Sequence, residues 1–285
     1  MNAPVTPYSA GLSGPAFSFP KGACDCHMHL FDNRYPFAAG PVLSHGDASV
    51  ADYRLLQKRL GMERCVIVQP SSYGRQHQVL LAGLRALGSS ARGIAVVDPQ
   101  ITDQELADLA AQGVVGVRFN LVQRGITNES MLEAVAQRIK PYGWHIQLHL
   151  LPEDFLRLAD ALSALEMDVV LDHFARIRTI PKLADQVEAK VHQLLGTGRG
   201  WLKFSGAYIA SMDAPGFYDL DHHAQRFLSD FPERVVWGSD WPHVTESTKP
   251  DDAQLANLLI RWMPNERLRQ QVLVTNPENL YGFGR

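Results

Sequence analysis

Apolar, β-branched runs of strand length recur eight times along the chain: Ala23–Leu30, Arg64–Gln69, Arg92–Val97, Val114–Asn120, His145–Leu150, Asp168–Phe174, Trp201–Gly206 and Val235–Asp240. Most are nearly continuous in apolar residues, as strands buried on both faces are, and few alternate. Between them the apolar positions change to helical spacing. Val50–Leu60 puts Tyr53, Leu56 and Leu60 on one face, with Ser49 or Asp47 as its cap. Thr102-Asp-Gln-Glu105 is a capping box that opens a helix through Ala111, and Gly113 stops it. Val79–Leu87, Asn128–Ile139, Pro152–Leu165, Pro181–Leu195, Ala224–Phe231 and Ala253–Met263 supply the others, Asn128 being a good capping type. Strand and helix alternate eight times, which predicts a single (β/α)8 TIM barrel. A doubly wound sheet is the competing reading, but no glycine fingerprint follows the first strand.

The length of 285 residues allows one barrel or two ordinary domains. The eight runs absorb it as one domain over 1–285, with 1–20 as an N-terminal extension. At 46% hydrophobic and 20% charged, the composition excludes disorder, collagen and coiled coil. A net charge of −3 implies neither a nucleic-acid surface nor a polybasic membrane anchor. No run reaches the length of a membrane span, and the first residues lack a signal peptide's pattern. Cys24, Cys26 and Cys65 are too few for a disulfide framework, and a cytoplasmic location is expected.

In a barrel the C-terminal ends of the strands carry the chemistry. Strand one ends Asp25-Cys-His27-Met-His29, and alternation points His27 and His29 to one side. Ser71 follows strand two. Strand four ends Arg118-Phe-Asn120 with Arg124 beyond, and strand five ends Gln147-Leu-His149. Asp172-His173 closes strand six, with Arg176 after it. Strand seven carries Lys203 and Ser205, and strand eight ends at Asp240. Four histidines, an aspartate and three arginines therefore converge on one rim. His149 taken alone reads as a hydrogen-bonded structural residue. His45, His77, His145, His192, His222, His223 and His243 are read as structural, with His45, His77 and His243 kept as loop candidates.

At these residues the chain resembles the amidohydrolase superfamily, through Asp25-Cys-His27-Met-His29, His173 and Asp240. More narrowly it resembles the 2-pyrone-4,6-dicarboxylate lactonase branch. Gly93-Ile-Ala-Val-Val-Asp98, Gly116-Val-Arg-Phe-Asn120, Trp237-Gly-Ser-Asp-Trp-Pro-His243 and Val274-Thr-Asn-Pro277 carry that likeness. The resemblance implies a substrate pocket lined by Ser71, Arg118, Arg124, His173, Arg176 and Asp240. Two departures stand out. Gly206-Ala-Tyr208-Ile209 replaces a further arginine of the branch, which bears on the second carboxylate of the substrate. His149 stands where the lactonase has a tyrosine, and restores a pattern closer to the superfamily's metal sites.

The chemistry expected is opening of a carboxylate-bearing lactone. Asp240 would activate water as general base. His27, His29 and His173 would stabilise the oxyanion. Arg118, Arg124 and Arg176, with Ser71 and His149, would grip the anionic substrate. The cofactor expected is none, or one divalent metal such as zinc on His27, His29, His149, His173 and Asp240. Arg118 occupies the strand-four position of the bridging lysine of two-metal relatives, against a binuclear centre. A sugar-acid lactone isomerase, a zinc-dependent decarboxylase and a non-catalytic anion-binding barrel are the competing readings. The partner expected is a small anionic lactone, with no nucleic acid and no membrane.

Overall fold

The computed structural model describes residues 5–38, 43–123 and 125–284. Eight parallel strands follow one another around a barrel in chain order. They are β1 (Cys24–Met28), β2 (Arg64–Val68), β3 (Ala91–Ala95), β4 (Val114–Asn120), β5 (His145–His149), β6 (Val169–Leu171), β7 (Gly200–Phe204) and β8 (Val235–Trp237). The helices α1 (Val50–Leu60), α2 (Gln78–Leu87), α3 (Asp103–Ala111), α4 (Leu132–Ile139), α5 (Pro152–Ala164) and α6 (Ala184–Gly196) surround it, one after each of the first six strands. A short α7 (Ala207–Ala210) and then α8 (Asp221–Asp230) follow β7. Helices α9 (Asp252–Trp262), α10 (Glu266–Gln270) and α11 (Asn276–Tyr281) follow β8. The architecture is the expected (β/α)8 barrel.

Local signals explain the helix starts. Ser49 rather than Asp47 caps α1, in a reciprocal box with Asp52. Thr102 and Glu105 form the expected box on α3. Asn128 caps a 3-10 turn, Glu129–Met131, that precedes α4.

Two layers of side chains build the core. Cys24, Cys26, Val66, Val68, Ile94, Val170 and Val236 pack together as one cluster, with Tyr281 and Phe283 of the C-terminal segment against them. The alternate strand residues pack outward against the helices. The two cysteines are therefore small fillers, as read from the sequence. A register shift between Asp25 and Met28 interrupts the β1–β2 ladder. Such an irregularity re-aims side chains, and here it spans His27 and precedes His29.

Closure of β8 on β1 uses polar groups. The Asp240 amide donates to the His27 carbonyl at 2.8 Å, and the His29 amide to the Trp241 carbonyl at 2.8 Å. The buried Asp25 carboxylate accepts from Ser239 N (2.9 Å), Ser239 Oγ (2.6 Å), His27 N (3.1 Å) and Tyr53 OH (3.0 Å). Burial pushes its acid up to about 6 in spite of these four donors. Asp25 thus ties β1, the end of β8 and α1 together beneath the mouth of the barrel.

Seven of the eight strands end one to three residues short of the apolar runs, and β6 and β8 fall short by the most. β6 stops at Leu171 and β8 at Trp237. The reason is conformational. His173, Phe174, Ala175 and Arg176 all have φ between 51° and 53°, and Asp240 has φ 63°. Left-handed backbone at non-glycine residues cannot continue a strand and is costly where it occurs. It recurs at functional sites.

Candidate active site

The site is built in two tiers at the C-terminal mouth. The lower tier is a buried charged row across β4 to β7. Arg118 Nε donates to Asp172 Oδ2 at 3.3 Å, and Gln147 Nε2 donates to the same oxygen at 3.0 Å. Lys203 Nζ donates to Gln147 Oε1 at 2.8 Å and lies 3.3 Å from Asp172 Oδ1. Lys203 and Asp172 are essentially inaccessible. Burial works to push the Asp172 acid up, but Lys203, His27 and Arg118 outweigh it and hold the acid well below the usual carboxylate range. Burial lowers the Lys203 ammonium against the pull of Asp172. A paired charge cluster of this kind is tolerated only because each charge has partners.

The upper tier stands on this row. His27 Nδ1 lies 3.2 Å from Lys203 Nζ and 3.3 Å from Asp172 Oδ1. Its Nε2 faces His29 Nε2 at 3.3 Å. His29 Nδ1 is 2.7 Å from the Val68 carbonyl. A carbonyl only accepts, so His29 Nδ1 carries a hydrogen and gives it to Val68. Asp240 Oδ1 lies 3.5 Å from His27 Nε2, 3.5 Å from His29 Nε2 and 3.9 Å from His173 Nε2. Ser205 Oγ is 3.0 Å from His173 Nδ1. Tyr208 OH donates to the second carboxylate oxygen of Asp240, Oδ2, at 2.7 Å.

The electrostatics follow from burial. It lowers the His173 imidazole, and lowers His27 and His149 well below the ordinary value, His149 with the help of neighbouring His173 and Arg118. Burial works against the Asp240 carboxylate, but His173, His29 and His27 outweigh it and keep the acid well below its ordinary value. Burial and the adjacent Asp240 push the Tyr208 phenol well above its ordinary value. Burial thus favours neutral His27, His149 and His173 beside an ionised Asp240.

The sequence-predicted residues fall as follows. His29, Ser71, Arg118, His149, His173 and Asp240 line one pocket at the barrel mouth. His27 lies behind His29 at the floor, fully buried. Asn120 Nδ2 donates to Ser71 Oγ at 3.2 Å. Arg176 does not reach that pocket wall; its Nη1 lies 3.4 Å from His149 Nε2. Arg124 lies outside the described residues. Asp172, Gln147, Lys203, Ser205 and Tyr208 complete the site beyond the residues chosen from the sequence. For Gln147, Lys203 and Ser205 a signal existed, namely polar residues at i, i+2 spacing to a candidate or to each other on otherwise apolar strands.

Among the described residues, two buried groups bring metal-ligand atoms within reach of one ion: His27 with His29 and Asp240, and His27 with Asp172 and His173. The first fits a cation better. His29 gives its Nδ1 hydrogen to Val68 and offers Nε2, and Asp240 offers Oδ1, whereas Asp172 is committed to Arg118, Gln147 and Lys203. His149 stands outside both groups, with Nε2 toward Arg176 and Nδ1 buried without a partner.

A histidine pair from β1, a histidine after β6 and an aspartate after β8, gathered at the C-terminal mouth of a (β/α)8 barrel, define a barrel of the hydrolase type. The chain belongs to the amidohydrolase family, whose model matches residues 24–283. It is 35% identical over 292 residues to the 2-pyrone-4,6-dicarboxylate hydrolase of Comamonas testosteroni, covering 95% of this chain and 94% of that protein. It is 32% identical to the D-galactarolactone isomerase of Agrobacterium fabrum, over 95% of each. Among solved structures, a "probable 2-pyrone-4,6-dicarboxylic acid hydrolase" from Acinetobacter baumannii with citric acid bound superposes with a TM-score of 0.82 at 26% identity. That alignment covers 92% of this chain and 100% of the other. No described helix is long and apolar enough to cross a membrane.

Proposed function

We propose that the protein hydrolyses a lactone bearing at least one carboxylate. The observation that carries this reading is the placement of Asp240 Oδ1 among His27, His29 and His173, in a pocket that Arg118 also lines. Asp240 takes a proton from water as the water attacks the ring carbonyl, and returns it to the leaving ring oxygen. With Ser205 O–H donating to His173 Nδ1, His173 Nε2–H points into the pocket as an oxyanion donor. His27 and His29 complete the polar floor. Arg118 holds the carboxylate, with Ser71 and His149 on the same wall and Arg176 against His149, while Arg124 is a further candidate for the grip. His27, His29 and Asp240, beside His173, are the groups that would hold one divalent cation such as zinc. A bound cation would supply Lewis-acid polarisation of the carbonyl. The natural setting is the cytoplasm.

A lactone isomerase uses the same groups, with a substrate hydroxyl replacing water, and the 32% identity to such an enzyme favours it as the second reading. One experiment separates the two. The purified protein is given a panel of carboxylated pyrones, muconolactones and aldarolactones, and products are read by NMR. A ring-opened acid is expected. Another lactone as product would replace hydrolysis by isomerisation, and loss of CO2 would point to a decarboxylase. No turnover across the panel would overturn the proposal.

The shifts above also fix the sign of the pH dependence. His27 and His173 are pushed below the ordinary imidazole value of about 6.5 and stay neutral as pH falls through it. Asp240 is held low and stays ionised. kcat/KM is therefore expected to be flat between about pH 8 and 6 and to fall only below that. An acid limb centred near 6.5 would show that an ordinary histidine governs the reaction.

A further inference from the structure

Asp240 has two carboxylate oxygens, and the reaction above uses one. The other begins a row of polar contacts that leads away from the pocket. Tyr208 OH lies 2.7 Å from Asp240 Oδ2 and 2.8 Å from His243 Nδ1. His243 Nε2 lies 3.0 Å from Asp252 Oδ2. His243 and Asp252 are 0% and 1% exposed, so this is no surface cluster.

The row has a direction. A carboxylate only accepts, and a phenol has one hydrogen to give. Tyr208 gives it to Asp240, so its oxygen is free to accept from His243 Nδ1–H. His243 Nε2 faces Asp252 Oδ2, which holds the ring in place, and His243 in turn holds Tyr208 as a donor toward Asp240.

The backbone is arranged to bring the row together. Gly206, at φ 53°, starts the turn that carries Tyr208; a Cβ there would stand 2.8 Å from His173 Nδ1 and 3.4 Å from Asp240 Oδ2. The His243 amide donates to the Asp240 carbonyl at 2.8 Å. Asp252 opens α9, and its amide donates to Ser9 Oγ at 3.2 Å. Three elements after β7 and β8, and the N-terminal segment, thus converge on one carboxylate oxygen.

Burying a histidine and a carboxylate in this way is expensive, and apolar side chains of similar volume would be as stable or more so. What the row provides is orientation. The terminal carboxylate torsion of an aspartate is broad, so burial alone does not set which oxygen faces the histidines. With Oδ2 held by Tyr208, Oδ1 is the oxygen left to face His27, His29 and His173. A base needs its geometry held to about 0.5 Å.

We propose that Tyr208, His243 and Asp252 are positioning residues that fix the rotation of the Asp240 carboxylate, a role that rests on Asp240 being the base. Crystal structures of the wild type and Tyr208→Phe test the positioning without any substrate. In the variant the Asp240 carboxylate is expected to turn, or to split between two orientations, moving Oδ1 by more than about 0.5 Å. An unmoved Asp240 would overturn the proposal. Kinetics on whichever lactone the wild type turns over form the second arm. Tyr208→Phe is expected to lower kcat by about 10- to 100-fold with KM within about twofold, as a misplaced group does. His243→Leu should cost about the same alone and add less than about twofold in the Tyr208→Phe background, because it acts through Tyr208. Losses that multiply independently would overturn the proposal. Asp252→Asn takes the place of His243→Leu if the latter does not fold. A wild type that opens no lactone sinks the lactonase reading, and the crystallographic arm still decides the positioning one.

Discussion

Asp240→Asn is expected to lower kcat by about 10³- to 10⁴-fold while KM changes little. General-base catalysis typically accounts for about 10²- to 10⁴-fold. Here the carboxylate stands alone in facing all three imidazoles within 4 Å among the described residues, so the upper part of that range applies. The amide keeps the size of the carboxylate and still accepts from Tyr208 through its oxygen, so the pocket retains its shape. What it loses is the lone pair that takes the proton. Steady-state kinetics on the substrate found by the lactone panel measure the effect, with a thermal melt to show that the variant is folded. A folded variant that keeps kcat within tenfold of wild type would remove Asp240 as the base. The proton would then have to be taken by an imidazole, and the acid limb of the rate profile would report it.

Most of the barrel was legible in the chain because its strands are buried on both faces. Each apolar run became a strand, and every strand began within one residue of the position read. The ends were less legible. Asp168–Phe174 and Val235–Asp240 read as strands to their last residue, yet β6 and β8 stop short. The residues beyond adopt left-handed backbone at His173 and Asp240, which hydrophobic pattern does not encode. These are also the residues with candidate chemistry. Local preference gives way where a fold aims a side chain into a site.

The candidate site was legible in proportion to its nearness to strands. His27, His29, Arg118 and His149 lie on or next to strands, where spacing alone sets the face. Lys203 and Asp172 were visible as charges in apolar runs, but the ion pair between them depends on barrel closure. Tyr208 and His243 lie on segments without periodicity, and only the tertiary structure joins them to Asp240 and Asp252. Arg176 was placed at the rim by its position after strand six, and the left-handed turn brings its guanidinium to His149, which lines the pocket.

Arg118→Met is expected to lower kcat/KM by about 10²- to 10³-fold, largely through KM. That is about 3 to 4 kcal/mol at 1.4 kcal/mol per tenfold, within the range for truncating one partner of a buried charge pair. Arg118 is 4% exposed and commits Nε to Asp172 at 3.3 Å, while its side chain also lines the pocket. A guanidinium anchored through Nε keeps its two terminal nitrogens for a planar grip on a carboxylate. The variant should still fold, because Asp172 retains Lys203 and Gln147. Two comparisons separate recognition from general damage. Arg118→Lys keeps the charge beside Asp172 but loses the planar fork, so it should recover only part of the loss. A lactone of the same ring without its carboxylate should be opened equally slowly by wild type and Arg118→Met. If the methionine variant is impaired on that neutral lactone too, Arg118 acts on the reacting centre through Asp172 and His27. If kcat/KM is unchanged on the acid, the carboxylate is held elsewhere, and Arg118 belongs to the scaffold beneath the site.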